Sequence, residues 1–120
     1  LFPYTTLFRS AVLGAPLIVV MGHERCGAVA AALTVIDEAQ EYPGSIGTML
    51  EPILPAAMGA WNQPGAPLVN ATRAHVLRTV TRLRAVASPL LIPPQKENRL
   101  RIVGAVYDLD TGAVEFLEPT

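Results

Sequence analysis

The chain has 120 residues, 51% of them hydrophobic and 16% charged, with nine Lys/Arg against ten Asp/Glu for a formal net charge of −1. With a mean hydropathy of +0.37, this excludes disorder along most of the chain, and the length suits one domain with a modest core. The charge balance gives no electrostatic reason to expect nucleic acid or an anionic membrane as a partner, and one cysteine excludes an internal disulfide framework.

The first ten residues, LFPYTTLFRS, open without Met and crowd two Phe, one Tyr and three Ser/Thr together. They resemble a translated sequencing adapter, so residues 1–10 are expected to be a non-native leader, with the native domain over 11–120. The apolar run from Ala11 to Met21 is too short to span a bilayer and lacks the flanks of a signal peptide. No membrane association is expected, and the lone cysteine fits a cytoplasmic location.

PLIVVMG, from Pro16 to Gly22, is rich in β-branched residues and uninterrupted, which predicts a strand covered on both faces in a parallel sheet. CGAVAAALTVIDEAQEY follows at once with helix-forming Ala, Leu and Glu, and Pro43–Gly44 is expected to stop it. IGTMLEPILPAAMGAW predicts one or two short helices broken at Pro52 and Pro55. Beyond it, Val76, Leu77, Val80, Leu83 and Val86 recur at helical spacing, with Asn70 or Thr72 as the expected cap and Ser88–Pro89 as the stop. Arg73, Arg78, Arg82 and Arg84 read mostly as a solvated face of that helix. RIVGAVYDL and AVEFLE then predict two strands joined through Asp110, Thr111 and Gly112 as a hairpin. The fold class is α/β: a parallel-sheet core, flanking helices and a carboxyl-terminal hairpin.

Chemistry concentrates where the first strand meets the first helix, in GHERCGAV. His23 and Cys26 leave the carboxyl end of a buried strand, where ligands gather in open α/β sheets, and enter the start of a helix, whose dipole favours negative charge. Imidazole and thiolate together make half of a zinc site, since zinc takes three protein ligands when a water is to be activated and four when it is structural. Other readings of the same residues stay open. Cys26 can be an ordinary core cysteine, or a nucleophile with a histidine base. A phosphate loop is excluded, because Ala28 and Val29 stand where Lys and Ser/Thr are required.

LGAPLIVVMGHERCGAVAAAL resembles the second zinc-binding segment of the β-class carbonic anhydrases. NATRAHVLRTVTRLRAVASPLL and LRIVGAVYDLDTGAVEFL are similar to the helix and the closing strands of that family, so the resemblance runs from about Val12 to Leu117. It implies that residues 11–120 are a partial β-carbonic anhydrase domain, and that His23 and Cys26 are two of three protein ligands of a catalytic Zn2+. Gly27 would bring backbone close behind the metal. The implied reaction is the reversible hydration of carbon dioxide to bicarbonate, and the implied assembly a homodimer or higher homo-oligomer. The family's third ligand lies in an upstream Cys-x-Asp-x-Arg motif. Here no cysteine precedes Cys26 and no aspartate precedes Asp37, and Arg9 lacks the motif around it. Glu24 and Arg25 occupy the variable positions of H-x-x-C and are not substitutes for that motif. These 120 residues are therefore expected to hold zinc poorly and to be inactive alone, with an unpaired edge on the first strand.

Two other functions stand beside this one. The chain can be a non-catalytic module that keeps the fold without a working site, or a thiol enzyme using Cys26. His75 reads as a surface or boundary residue, Trp61 as a packing anchor, and Asp108 as part of the hairpin.

Overall fold

The structure is a computed structural model that describes residues 13–118, so the expected leader over 1–10 lies outside the described residues. In chain order the elements are β1 (Leu17–His23), α1 (Gly27–Glu38), α2 (Gly44–Leu50), α3 (Leu54–Trp61), α4 (Pro67–Ala85), α5 (Ile92–Lys96), β2 (Arg101–Tyr107) and β3 (Val114–Leu117). The three strands lie side by side as β1-β2-β3. β1 runs parallel to β2, from Leu17 opposite Arg101 to His23 opposite Tyr107. β3 returns antiparallel, with Gly104 opposite Leu117 and Tyr107 opposite Val114. This is the expected α/β arrangement of parallel core, helices and hairpin.

Helix α4 packs on β1 and β2, and two glycines let it come close. A Cβ on Gly22 would stand 2.7 Å from a Val76 methyl, and one on Gly104 would stand 2.8 Å from the other. A side chain at either position would force Val76 to shift. Above this seam Val80, Leu83, Leu91, Leu100 and Ile102 form a buried cluster, with Ile18 and Val20 against it. A second cluster joins the helices, through Val29, Ala32 and Leu33 of α1, Leu50 of α2, Ala57 and Ala60 of α3, Ala71 of α4 and the linking Ile53. Each fully buried Leu, Ile or Val contributes about 1.5–3 kcal/mol relative to exposure.

Several local expectations need correction. β1 is not covered on both faces, for its burial alternates residue by residue. Ile18 and Val20 point toward α4, whereas Leu17 and Met21 are each 51% exposed. Among the described residues β1 is also the sheet's marginal strand. Helix α1 ends at Glu38, short of Pro43–Gly44, with Ala39 left-handed at φ 52°. Asp37 and Glu38 put negative charge on its last turn with no basic residue to offset it, which opposes the helix dipole. Pro52 does separate α2 from α3, but Pro55 sits in the first turn of α3. There a missing N–H leaves no hydrogen bond unmade.

For the same reason α4 begins at Pro67 instead of near Asn70. Neither expected cap works as one: Asn70 Nδ2 donates to the Pro64 carbonyl at 3.0 Å, and Thr72 Oγ1 donates to the Leu68 carbonyl at 2.9 Å. Two of the helix's four arginines are tied down and not merely solvated. Arg73 pairs with Glu115, and Arg84 donates through Nε and Nη2 to the Ile102 carbonyl of β2. Trp61 closes α3 and is 36% exposed. The short α5, with two prolines in its first turn, has no counterpart in the sequence reading. No helix of the described residues is long and apolar enough to cross a membrane.

Candidate metal centre

The strand carries His23 to the top of the sheet, and a three-residue turn returns the chain into α1. Strand pairing persists one step past His23, since the Glu24 amide donates to the Tyr107 carbonyl at 3.2 Å. Arg25 then takes a left-handed backbone, φ 51°. Cys26 is extended at φ −66° and ψ 119° and stands immediately before the first helical residue; its carbonyl accepts the first helical bond, from Ala30. The turn thus places His23 and Cys26 on either side of Arg25.

His23 is exposed, and its Nδ1 lies 2.9 Å from the Glu24 carbonyl. A carbonyl only accepts, so this contact puts the proton on Nδ1 and leaves the Nε2 lone pair free. Cys26 is a free thiol, half-buried against the helical cluster. A Cβ on Gly27 would meet no protein atom within 4 Å among the described residues. Gly22, one residue before the histidine, is where the strand comes close to Val76 and Thr72 of α4.

Charge gathers around this turn. Carboxylate oxygens of Glu24, Asp108 and Asp110 lie within 4.8 Å of one another. Neither His23 nor Cys26 belongs to that group or to any other set of three such residues so close together among the described residues. The cation in the midst of the three carboxylates is Arg25. Its Nη1 and Nη2 each donate to one Asp110 oxygen at 3.2 Å, and Nη1 lies 3.9 Å from Glu24 Oε2. The hydrogen bonds with Asp110, and then its charge, raise the Arg25 pKa further above its ordinary value. Asp108 serves the hairpin, as expected. Its Oδ1 accepts the Asp110 and Thr111 amides at 2.8 and 3.1 Å, and these bonds hold its carboxyl below the usual carboxylate range.

A cavity of about 250 Å³ opens beside the turn, between it, the start of α4 and the sheet. Leu68 and Thr72 line it with two ion-paired arginines, Arg25 and Arg73, the latter bonded to Glu115 at 2.7 and 3.1 Å. That bond holds the Glu115 carboxyl below its usual range. A larger cleft of about 550 Å³ lies between the end of α1 and α2–α3, lined by Val35, Tyr42, Leu50 and Glu51. Neither His23 nor Cys26 lines either cavity. His75 stands apart on α4, half-buried, with a buried Nδ1 that has no partner among the described residues. Burial, and then the charges of Arg78 and Arg82, push its pKa down.

The sequence reading found His23, Cys26 and Asp108 and missed the partnerships of Arg25, Arg73 and Glu115. The pairs span 85 and 42 residues of chain, and periodicity carries no signal for such separations.

The protein-family model described as carbonic anhydrase matches residues 6–114. A carbonic anhydrase of Mycolicibacterium smegmatis is 37% identical over 113 residues, covering 90% of this chain and 52% of that protein. Carbonic anhydrase 2 of Mycobacterium tuberculosis is 35% identical over 105 residues, covering 88% and 50%. A tetrameric β-carbonic anhydrase from the ascomycete Sordaria macrospora superposes with a TM-score of 0.81 at 20% identity, over 97% of this chain and 59% of that one. The β-carbonic anhydrase CafA of Aspergillus fumigatus gives 0.72 at 24% identity, over 92% and 52%. The chain belongs to the carbonic anhydrase family, with the fold of its β class. It spans about half the length of the curated relatives it matches.

Proposed function

We propose that this chain supplies two protein ligands, His23 through Nε2 and Cys26 through Sγ, to a catalytic zinc in an enzyme that interconverts carbon dioxide and bicarbonate. The observation that carries the ligand assignment is the His23 Nδ1 contact with the Glu24 carbonyl. Metal-bound histidines characteristically donate their other ring nitrogen to such an acceptor, which fixes the tautomer and aims the free lone pair. A thiol three residues on completes a nitrogen–sulfur donor pair of the kind zinc takes. When bound, zinc supplies the Lewis acidity that makes water a nucleophile at neutral pH. Relatives named as carbonic anhydrases support the reaction, and the tetrameric Sordaria macrospora structure supports a homo-oligomer.

Two donors fall short of the three that a zinc site open to water requires. The 120 residues alone therefore hold zinc weakly and hydrate carbon dioxide slowly or not at all. Zinc content by elemental analysis and carbon dioxide hydration by stopped flow, both on the purified chain, test this. The expected result is well under one zinc per chain and no turnover above buffer, with what zinc is bound lost in both His23→Ala and Cys26→Ser. One tightly held zinc with brisk turnover overturns the half-site. Zinc retained in Cys26→Ser overturns the ligand assignment.

A further inference from the structure

We propose that Arg25 and Asp110 are positioning residues for the metal-binding turn: their two-fold hydrogen-bonded ion pair pins the segment between His23 and Cys26 to the β2–β3 hairpin. The inference rests on the zinc reading above and adds to it a device that sets the spacing of the two donors.

Arg25 is the one residue of this turn with a left-handed backbone, φ 51°. That conformation is costly for a residue with a Cβ, a cost that contacts made by the turn offset. Two links cross from the turn to the hairpin, the Glu24 amide to the Tyr107 carbonyl and the Arg25 guanidinium to Asp110. The second is bidentate, which fixes direction as well as distance. Its far end is itself anchored. Asp108 Oδ1 accepts the Asp110 and Thr111 amides, and the Asp108 backbone exchanges bonds with Gly112 and Ala113 at 2.9 Å each. Asp110 is thus a fixed post on a closed turn.

The surrounding charges give Arg25 a second role. Glu24 belongs to the turn, while Asp108 and Asp110 belong to the hairpin, and the oxygens of all three approach within 4.8 Å. With Arg25 among them the cluster attracts across the gap. Without it, three like charges push the two segments apart. The pair is solvent-exposed, with side-chain exposures of 59% and 70%, so it adds little to global stability. Its effect falls on the local geometry of the turn, and hence on metal affinity.

The test is a cobalt(II) titration of the full chain, reading the thiolate-to-cobalt absorption, together with hydrogen exchange at the Glu24 amide without metal. Arg25→Ala and Asp110→Asn are expected to weaken cobalt about tenfold, the lower end for outer-shell partners of a metal site, with unchanged melting temperature. Glu24 exchange should quicken in both. The charge-exchanged double variant, Arg25→Asp with Asp110→Arg, should recover most of the affinity, which a merely structural role would not predict. Parent-like cobalt affinity in both single variants overturns the proposal. Unchanged Glu24 exchange overturns the clamp whatever the metal does. A cobalt–thiolate band that persists unchanged in His23→Ala overturns the zinc reading on which the proposal rests, while the exchange data still decide whether the clamp exists.

Discussion

Under the sheet, Val76 directs its two methyl groups at Gly22 and Gly104; three residues beyond Gly22, Arg25 reaches across solvent to Asp110. The first contact is dry and steric, made where no side chain fits. The second is wet and electrostatic, and both partners are exposed. Along one strand, then, the chain passes from a region fixed by shape to a region fixed by charge. The difference teaches where stability and chemistry are kept. Packing contributes kilocalories per side chain and cannot be adjusted without loss, while an exposed ion pair contributes little and can be tuned without unfolding the domain.

The largest effect should come from emptying the dry side. Leu83→Ala removes a side chain that is 2% exposed and should cost about 2–5 kcal/mol, measured by urea denaturation. Filling the same side comes next. Gly22→Ala and Gly104→Ala should each cost about 1–3 kcal/mol, because Val76 must leave its position. Gly27→Ala, with open space around it, should leave stability within about 0.5 kcal/mol of the parent or raise it. Equal losses at positions 22 and 27 would break the distinction between seam and turn.

Acidification should show a smaller effect in two stages. Burial lowers the His75 pKa, so the unfolded chain binds that proton first. Stability is full above about pH 6.5, the ordinary histidine value, and declines as pH falls toward the folded value. Glu115 and Asp108 are also lowered, by Arg73 and by the hairpin amides respectively. Their contribution is present above the ordinary carboxylate range, about pH 4, and is lost on further acidification. Melting temperature against pH should therefore fall twice, and His75→Gln should remove the upper step alone. The smallest effect belongs to the wet side: Arg73→Ala should lower the melting temperature slightly, and 1 M salt should erase the difference.

Much of this was legible because it is local. The strand of LIVVM, the amphipathic spacing of Val76, Val80 and Leu83, and the Asp-Thr-Gly turn each announce themselves within a few residues. What a run of apolar residues states is that they can be buried, not that a neighbour is present. β1 therefore read as covered on both faces, though only Ile18 and Val20 turn inward. Pro55 read as an obstacle because proline's cost depends on whether it meets a helix at its start or its middle, and boundaries are what a pattern fixes worst. His23 and Cys26 stood out by type and spacing. Arg25 did not, since arginine rarely takes a left-handed backbone and its partner lies 85 residues away.

The parallel pairing of β1 with β2 also bears on the order of folding. Leu17 meets Arg101, and His23 meets Tyr107, so every hydrogen bond of that ladder closes a loop of more than eighty residues. Such contacts form late and slowly, because chain entropy is spent before they repay it. The helices can gather on one another first, but the turn bearing His23 and Cys26 acquires its shape only when the last strands dock. The β2–β3 hairpin is local and can close early, so the β1–β2 ladder is the long-range step on which the shape of the His23–Cys26 turn depends.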